Sequence, residues 1–330
     1  MKLASLRKGR DGQLIVVNKD LTRARPVPSI AQTLQGALDR WHECVDALEE
    51  TYGSICASEV DTIPFDPGAV CAPLPRAYQW CDGSAFLSHA ELVRKARGAE
   101  MPQSLYTDPL LYQGGSDIML GPRDSIVAAS EDWGIDLEAE IVVITDDVPM
   151  GTPPGEASQF IRLIGLVNDV SLRNLIPGEL AKGFGFYQSK PPTAFAPVVV
   201  TPDELGGAWE GHCVKLPVIS AVNGVELGRP NAGVDCYFDF PRLIAHATLS
   251  RPLGAGTILG SGTISNRNQK VGSSCLAERR MIEIIEHGKA STPFLKFGDT
   301  VRIEVLDAQG QSVFGAIEQV VEHAAPATAS

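Results

Sequence analysis

Two glutamates one residue apart, Glu138 and Glu140, are the side chains in this sequence best placed for chemistry. They lie in the apolar stretch Gly-Ile-Asp-Leu-Glu-Ala-Glu-Ile-Val-Val-Ile. Because side chains alternate across a β-strand, both carboxylates would point to the same face. Two buried anions repel each other unless something positive lies between them, and a hard divalent cation with oxygen ligands meets that need. A half-exposed strand with a polar face would show the same pattern.

A second candidate site begins at Asp82 and continues to His89. Ser88 and Glu91 have the spacing of a capping box, which predicts that His89 is the first residue of a helix. The positive end of a helix disfavours the imidazolium form, and a neutral histidine suits a general base. Each residue also has a structural explanation, Asp82 as an Asp-Gly turn residue and His89 as a polar residue at a helix start.

Three later segments carry further polar groups. Asp169 ends an apolar run and is followed by Arg173, although it could simply cap the next helix. Lys190 lies in a proline-flanked loop, and Thr263 lies in the glycine-rich run Gly-Ser-Gly-Thr-Ile-Ser. Glycines in so short a run are also typical of a tight turn.

Composition limits the class of protein. The 330 residues carry a net charge of −12, which argues against a nucleic-acid or anionic-membrane partner. The longest apolar runs are far too short to span a bilayer, and no secretory signal is visible. Seven scattered cysteines without a CxxC spacing predict reduced thiols, and therefore a cytoplasmic protein.

The periodicity predicts more strand than helix. A hairpin is expected over 2–6 and 13–17, a helix over 30–52 with Ser29 capping it and Gly53 ending it, and short helices over 89–97 and 241–250. Asn223-Gly224 predicts a hairpin turn. Since strands do not alternate regularly with helices, a β-rich sandwich or roll is favoured over a doubly wound sheet. The remaining strands are expected at 135–145, 163–169, 195–200, 213–221, 257–260 and 300–306.

A proline-rich stretch suggests a division of the chain. Residues 62–76 contain four prolines, which is typical of a linker or of an extended entry into a second domain. We therefore predict a small N-terminal domain over residues 1–72 and a catalytic domain over residues 73–330.

Taken together, these segments resemble the fumarylacetoacetate hydrolase family in their order and spacing, over about residues 73 to 306. The resemblance implies a β-rich α+β fold, a mixed β-sandwich roll with a small N-terminal α+β domain, and usually a homodimer. The matching pieces are Asp82 with His89 seven residues on, Glu138-Ala-Glu140, Asn168-Asp169 with Arg173, Lys190, and Ser-Gly-Thr263-Ile-Ser.

The resemblance also implies roles for these residues. His89 would activate water, with Glu278 as the acid that supports it, while Arg173 and Lys190 would stabilise oxyanion charge. Tyr112 and Thr263 would contact substrate. A divalent metal, normally magnesium or calcium with manganese as a further possibility, would be bound by Asp82, Glu138, Glu140 and Asp169.

Two positions depart from the family members that cleave fumarylacetoacetate. Those members carry a tyrosine where this chain has Ser84 and a glutamine where it has Ile176. In those family members both positions contact substrate rather than metal, so the resemblance implies that the departures bear on which substrate is bound.

Three functions compete. The first is hydrolysis of a carbon–carbon bond in a 1,3-diketo acid, with fumarylacetoacetate (yielding fumarate and acetoacetate) as the leading substrate and other acylpyruvates next. The second is isomerisation or decarboxylation of a 2-oxo acid at the same metal site. The third is a non-enzymatic metal-binding module, which would leave His89, Arg173 and Lys190 without a task.

Overall fold

The computed structural model describes residues 1–58, 61–96 and 100–325. Over these residues the chain forms seven α-helices and twenty strands. The α-helices are α1 (Leu34–Leu38), α2 (Trp41–Ala57), α3 (Leu87–Ala96), α4 (Pro154–Ala157), α5 (Ile176–Leu180), α6 (Phe240–Ala247) and α7 (Leu276–His287). The strands are β1 (Lys2–Leu6), β2 (Gln13–Val17), β3 (Arg23–Pro26), β4 (Ile63–Pro64), β5 (Trp80–Gly83), β6 (Leu111–Gly114), β7 (Ile126–Ala128), β8 (Ile135–Asp136), β9 (Ala139–Thr145), β10 (Ile161–Asn168), β11 (Ser171–Leu172), β12 (Ala194–Phe195), β13 (Val199–Val200), β14 (Trp209–Glu210), β15 (Cys213–Val214), β16 (Val218–Val222), β17 (Val225–Gly228), β18 (Ile258–Gly260), β19 (Thr300–Val305) and β20 (Ile317–His323).

One large mixed sheet organises the molecule. Its strand order is β4-β3-β2-β1-β13-β10-β9-β18-β5-β6, and β12 also pairs with β10. Strands β18 and β5 run parallel, while the other neighbours are antiparallel. A second sheet has the order β17-β16-β19-β20-β7.

The large sheet is buried on both faces, as strand β9 shows. Ile141 and Val143 pack into a core that includes Ile303 of the second sheet. Val142 and Ile144 pack on the opposite face with residues of α1 and α2. Apolar residues are therefore needed on both faces in the middle of β9, which explains its apolar run over residues 141–144. The fold is thus the β-rich α+β architecture with a mixed sandwich that was expected.

Most predicted strands are present. Each of the six predicted segments between residues 135 and 306 contains one or two strands, and the N-terminal hairpin is formed by β1 and β2. Asn223 and Gly224 have φ values of 52° and 74° and join β16 to β17, as a two-residue hairpin turn requires.

The long N-terminal helix was predicted wrongly in its start, continuity and end. Thr33, not Ser29, caps α1 by accepting a hydrogen bond from the Gly36 N–H at 3.0 Å. Arg40 leaves helical geometry at φ −136°, which separates α1 from α2. Gly53 does not end α2, because the helix continues to Ala57.

The two short helices are present near their predicted bounds. The helix predicted over 89–97 is α3, and its last predicted residue, Arg97, lies outside the described residues. The helix predicted over 241–250 is α6, whose N-cap is Asp239. Among the helices that the structure describes, none combines the length and hydrophobicity that a bilayer span requires.

The N-terminal segment joins the same sheet as the rest of the chain. Strand β1 pairs with β13, with Lys2 opposite Val200, so residues 2–26 extend the large sheet rather than forming one of their own. The division of the chain near residue 72 stays a prediction.

The close packing of β6 on β5 generates a stability prediction. A Cβ atom added at Gly114 would lie 2.2 Å from Cδ1 of Trp80, a fully buried side chain with little room to move. Gly114→Ala should therefore lower the free energy of unfolding by about 1–3 kcal/mol, measured by chemical denaturation. Gly155→Ala in α4 is the control, because beyond its chain neighbours and the backbone of its own helix no described atom lies within 4 Å of its added Cβ. Equal losses in the two variants would contradict the packing argument.

Candidate active site

Three buried carboxylates meet where neighbouring strands of the large sheet end. Asp82 lies on β5, Glu140 on β9, and Asp169 directly follows β10. One oxygen from each lies within 4.8 Å of the others. The strands bring them together because β10 and β9 are neighbours and β18 separates β9 from β5. We call these three residues the acid cluster.

A glycine on the intervening strand allows this approach. Gly260 of β18 lies opposite Asp82 on one side and opposite Val142 on the other. A Cβ atom at Gly260 would lie 2.5 Å from Oδ1 of Asp82. Gly260 therefore belongs to a strand beside the acid cluster, and the absence of a side chain leaves space for the Asp82 carboxylate.

The acid cluster carries negative charge that the described residues do not balance. Neither carboxylate oxygen of Glu140 has a hydrogen-bond partner among the described residues, although both are buried. Burial, together with the charges of Asp82 and Asp169, raises the pKa of Glu140 well above its ordinary value. Burial and the charge of Asp169 raise the pKa of Asp82 to about 7. Closely spaced carboxylate oxygens that repel one another, with those of Glu140 unpartnered among the described residues, are a donor set that suits a divalent cation, so the acid cluster fits a metal ion.

Glu138, the fourth predicted metal ligand, is engaged differently. Its Oε1 accepts hydrogen bonds from Arg173 Nη2 at 2.7 Å and from Thr263 Oγ1 at 2.8 Å. Its Oε2 accepts from Lys190 Nζ at 2.5 Å and from Ser171 Oγ at 3.0 Å. Burial would raise the pKa of Glu138, but the charges of Arg173 and Lys190 outweigh it and hold the pKa below its ordinary value. Its role as a metal ligand stays a prediction.

Lys190 connects Glu138 to the acid cluster. Its ammonium group also donates to Oδ2 of Asp169 at 2.7 Å. Asp169 accepts further hydrogen bonds from Tyr112 Oη at 2.6 Å and from Thr193 Oγ1 at 2.6 Å. Burial opposes the charged form of Lys190, but Asp169 and Glu138 raise its pKa above the ordinary value, so the ammonium stays charged.

The structure places Glu278 against His89. Glu278 lies in the first turn of α7, and its Oε2 is 3.1 Å from Nδ1 of His89 on α3. A carboxylate can only accept, so this contact keeps the proton on Nδ1 and leaves Nε2 of His89 free to accept another. The Glu278 side chain is buried, while that of His89 is partly exposed.

The predicted capping box at the start of α3 is wrong. The helix begins at Leu87, so His89 is its third residue rather than its first. The Ser88 hydroxyl donates to the carbonyl of Ser265 at 2.9 Å, and Glu91 accepts from Arg267 at 3.0 Å. Both side chains therefore serve tertiary contacts instead of capping the helix.

Sequence reasoning missed Asp136, which links two parts of the site. Its buried carboxylate accepts from the backbone N–H groups of Leu276 at 2.7 Å and Ala277 at 2.9 Å, at the start of α7. It also accepts from Arg173 Nε at 2.8 Å. One carboxylate thus orients both the helix that carries Glu278 and the guanidinium that contacts Glu138. The signal was present in the sequence, because Asp136 continues the alternate-residue pattern of the two glutamates.

A cavity of about 430 Å³ opens in front of these groups. The cavity is not lined by Glu140, Asp169 or Glu278, which lie behind its wall and contact the residues that form it. Its charged and polar end is lined by Asp82, Ser84, His89, Tyr112, Glu138, Arg173, Lys190 and Thr263. Its remaining wall includes Phe86, Leu110, Leu111, Ile176, Leu180 and Phe186.

Solved structures of known enzymes share this fold. A fumarylacetoacetate hydrolase from psychrophilic Exiguobacterium antarcticum has a TM-score of 0.67 at 17% identity, covering 98% of this chain and 100% of that one. A maleylpyruvate hydrolase from Sphingobium sp. SYK-6, in complex with manganese (II) ion and pyruvate, has a TM-score of 0.64 at 16% identity with the same coverage. At these identities the comparison establishes the fold alone.

Sequence comparisons identify the family. A 2,4-didehydro-3-deoxy-L-rhamnonate hydrolase from Sphingomonas sp. (strain SKA58) is 26% identical over 212 residues, which are 63% of this chain and 65% of that protein. Residues 1–76 match the family model described as Fumarylacetoacetase N-terminal domain 2. Residues 79–322 match the model described as Fumarylacetoacetate (FAA) hydrolase C-terminal. Since this second match alone spans well over half of the chain, the protein belongs to the fumarylacetoacetate hydrolase family.

Proposed function

We propose that this protein is a metal-dependent hydrolase that cleaves a carbon–carbon bond in a 1,3-diketo acid. The observation that carries the proposal is that a histidine–carboxylate pair and a cluster of unbalanced carboxylates meet at one cavity. His89 and Asp82 both line that cavity, while Glu278 supports the first and Glu140 and Asp169 accompany the second. The family and the hydrolases among its relatives support the same class of reaction.

Water activation is assigned to His89. With its Nδ1 proton held by Glu278, Nε2 takes a proton from water, and the water oxygen bonds to a substrate carbonyl carbon. The bond from that carbon to the methylene between the two carbonyls then breaks. Its electron pair stays on the methylene carbon, which receives the proton from His89. The products are two carboxylic acids.

Charge stabilisation is shared among several groups. The acid cluster, with Glu138 beside it, would hold a divalent cation, which would polarise the substrate carbonyl oxygens and offset their negative charge. Arg173 and Lys190 are fixed by their ion pairs with Asp136, Glu138 and Asp169, so they keep their position as charge develops on the substrate. Tyr112 and Thr263 line the cavity and donate to site carboxylates, which supports a role for both in contacting the substrate.

Fumarylacetoacetate is retained as the reference substrate of the proposed class. The resemblance in sequence implies it, whereas Ser84 and Ile176 depart from the residues of the members that cleave it. Isomerisation or decarboxylation of a 2-oxo acid at the same site is the alternative. The His89–Glu278 pair favours hydrolysis, since neither alternative requires a water activator. Assembly as a homodimer stays a prediction.

A panel of substrates tests the proposal. The purified protein with magnesium or manganese is mixed separately with fumarylacetoacetate, fumarylpyruvate, acetylpyruvate and oxaloacetate, while the dicarbonyl absorbance is followed and products are identified. Two carboxylic acids are expected from at least one diketo acid. Release of carbon dioxide would support the decarboxylase, and rearrangement without cleavage the isomerase. No reaction, with metal binding intact, would favour the non-enzymatic module.

Removing one carboxylate of the acid cluster should affect metal affinity and apoprotein stability differently. Glu140→Gln should weaken manganese or magnesium binding at least about tenfold, because a ligand is lost. The apoprotein should be no less stable than the wild type, because the substitution removes a buried carboxyl whose ionisation is opposed by burial and by Asp82 and Asp169. Calorimetry measures the first effect, and the thermal midpoint with and without metal measures the second.

Glu156→Gln is the matched control for this experiment, since Glu156 is an exposed acid of α4. It should change neither the metal affinity nor the thermal shift. Wild-type metal affinity in Glu140→Gln would contradict the proposed metal site.

His89 should be separable from the metal ligands. His89→Ala is expected to lower kcat by about a hundredfold or more and to leave metal affinity near the wild-type value, since His89 moves a proton without binding the ion. Glu278→Gln should lower kcat in the same direction. His42 is exposed, so the control variant His42→Ala should keep the wild-type kcat and the wild-type metal affinity. Loss of metal binding in His89→Ala would make it a ligand and refute this mechanism.

A further inference from the structure

The outer part of the cavity is lined by five apolar side chains that the proposed chemistry does not use. They are Leu110, Leu111, Ile176, Leu180 and Phe186, which we call the apolar wall. Leu110 and Leu180 are 55% and 49% exposed, so large apolar surfaces face the open end of the cavity. Exposed apolar side chains clustered at the mouth of a cavity are typical of a surface that a ligand covers.

The apolar wall is held in place by a buried carboxylate. Glu179 of α5 accepts hydrogen bonds from the backbone N–H groups of Tyr187 at 3.1 Å, Gln188 at 2.6 Å and Ser189 at 3.1 Å. These bonds tie the segment that follows Phe186 back to α5. Because α5 begins at Ile176 and ends at Leu180, Glu179 fixes three of the five apolar side chains relative to one another.

The apolar wall is also joined to the polar end of the cavity. The ring of Phe186 packs edge-on against the ring of Tyr112, with centroids 5.2 Å apart. Tyr112 in turn donates to Asp169 of the acid cluster. The apolar wall therefore begins directly beside the polar end of the cavity.

Positive charge is confined to the polar end. Among the described residues that line the cavity, Arg173 and Lys190 are the only lysine or arginine side chains. Both are bonded to carboxylates of the site, Arg173 to Asp136 and Glu138, and Lys190 to Glu138 and Asp169. A second carboxylate at the far end of a substrate would lose its hydration against leucine side chains without a cation to compensate.

We infer that the preferred substrate is a 2,4-diketo acid whose acyl substituent is uncharged and apolar, an alkyl or aryl group that the apolar wall covers. This inference rests on the proposed function and narrows its substrate class. Water adds to the carbonyl that bears the apolar group, and cleavage yields an apolar carboxylic acid and pyruvate. Fumarylacetoacetate, which has a carboxylate at each end, is then a poor substrate.

A matched series of substrates tests the inference. The manganese-loaded full-length protein is assayed with acetylpyruvate, butanoylpyruvate and succinylpyruvate, the last two having acyl chains of equal length. Each buried methylene should raise kcat/KM about fourfold, so butanoylpyruvate should exceed acetylpyruvate roughly fifteenfold. Succinylpyruvate should fall at least about tenfold below butanoylpyruvate.

The outcomes separate this inference from the function on which it rests. Cleavage of all three with succinylpyruvate equal to or better than butanoylpyruvate, or with no dependence on chain length, overturns the inference and leaves the hydrolase assignment standing. Failure to cleave any of the three while fumarylacetoacetate is cleaved overturns the inference alone. Failure to cleave fumarylacetoacetate as well overturns both.

Substitutions in the apolar wall test whether it causes the preference for butanoylpyruvate over acetylpyruvate. Leu180→Gln and Ile176→Gln should each reduce the ratio of kcat/KM for butanoylpyruvate to that for acetylpyruvate by about fourfold or more. Leu180 is half exposed, so its variant should fold normally, and the thermal midpoint checks this. Leu249→Gln is the control, because Leu249 is 75% exposed and lies outside the cavity lining. An unchanged ratio in both wall variants overturns the inference.

Discussion

Six buried carboxylates around one cavity impose the charge balance on which the rest of the site depends. Ionised carboxylates in a low-dielectric interior are costly unless cations or hydrogen-bond donors compensate them. Arg173 and Lys190 provide part of that compensation, and backbone N–H groups and hydroxyls provide more. The six are Asp82, Asp136, Glu138, Glu140, Asp169 and Glu278.

The site has two halves, which differ in whether their carboxylates form ion pairs. Asp136, Arg173, Glu138, Lys190 and Asp169 form a continuous chain of ion pairs, which holds strand, loop and helix together. Beyond Asp169 this chain of ion pairs stops, and the carboxyls of Asp82 and Glu140 have no ion-pair partner among the described residues. The half with ion pairs is rigid, as a binding site needs. The half without ion pairs offers carboxylate oxygens to a cation at one defined position.

Much of this arrangement could be predicted from sequence because it depends on strand periodicity. The alternation predicted that the Glu138 and Glu140 carboxylates share one face of a strand, and the resemblance to the family in the order and spacing of the other segments added Asp169 and His89 to the site. Partners could not be predicted in the same way. Whether Lys190 faces substrate or Glu138 is decided by tertiary packing, which local patterns do not contain.

Local signals also failed where tertiary contacts were stronger. Ser88 and Glu91 have a capping spacing, yet each finds a partner far away in sequence, Ser265 and Arg267. Gly53 is a common helix terminator, but α2 continues through it. For Ser88 and Glu91 the competing interactions lie outside the window that a sequence pattern examines.

The order of strands in the large sheet has a consequence for how the chain folds. Lys2 pairs with Val200, and Trp80 pairs with Ile258, so neighbouring strands come from positions far apart in sequence. Closing such long loops costs entropy before any contact repays it, and chains of this topology fold slowly. During synthesis the edge of β1 that pairs with β13 therefore stays unpaired until about two hundred residues have been made. The cavity can close only after α7 has also been made.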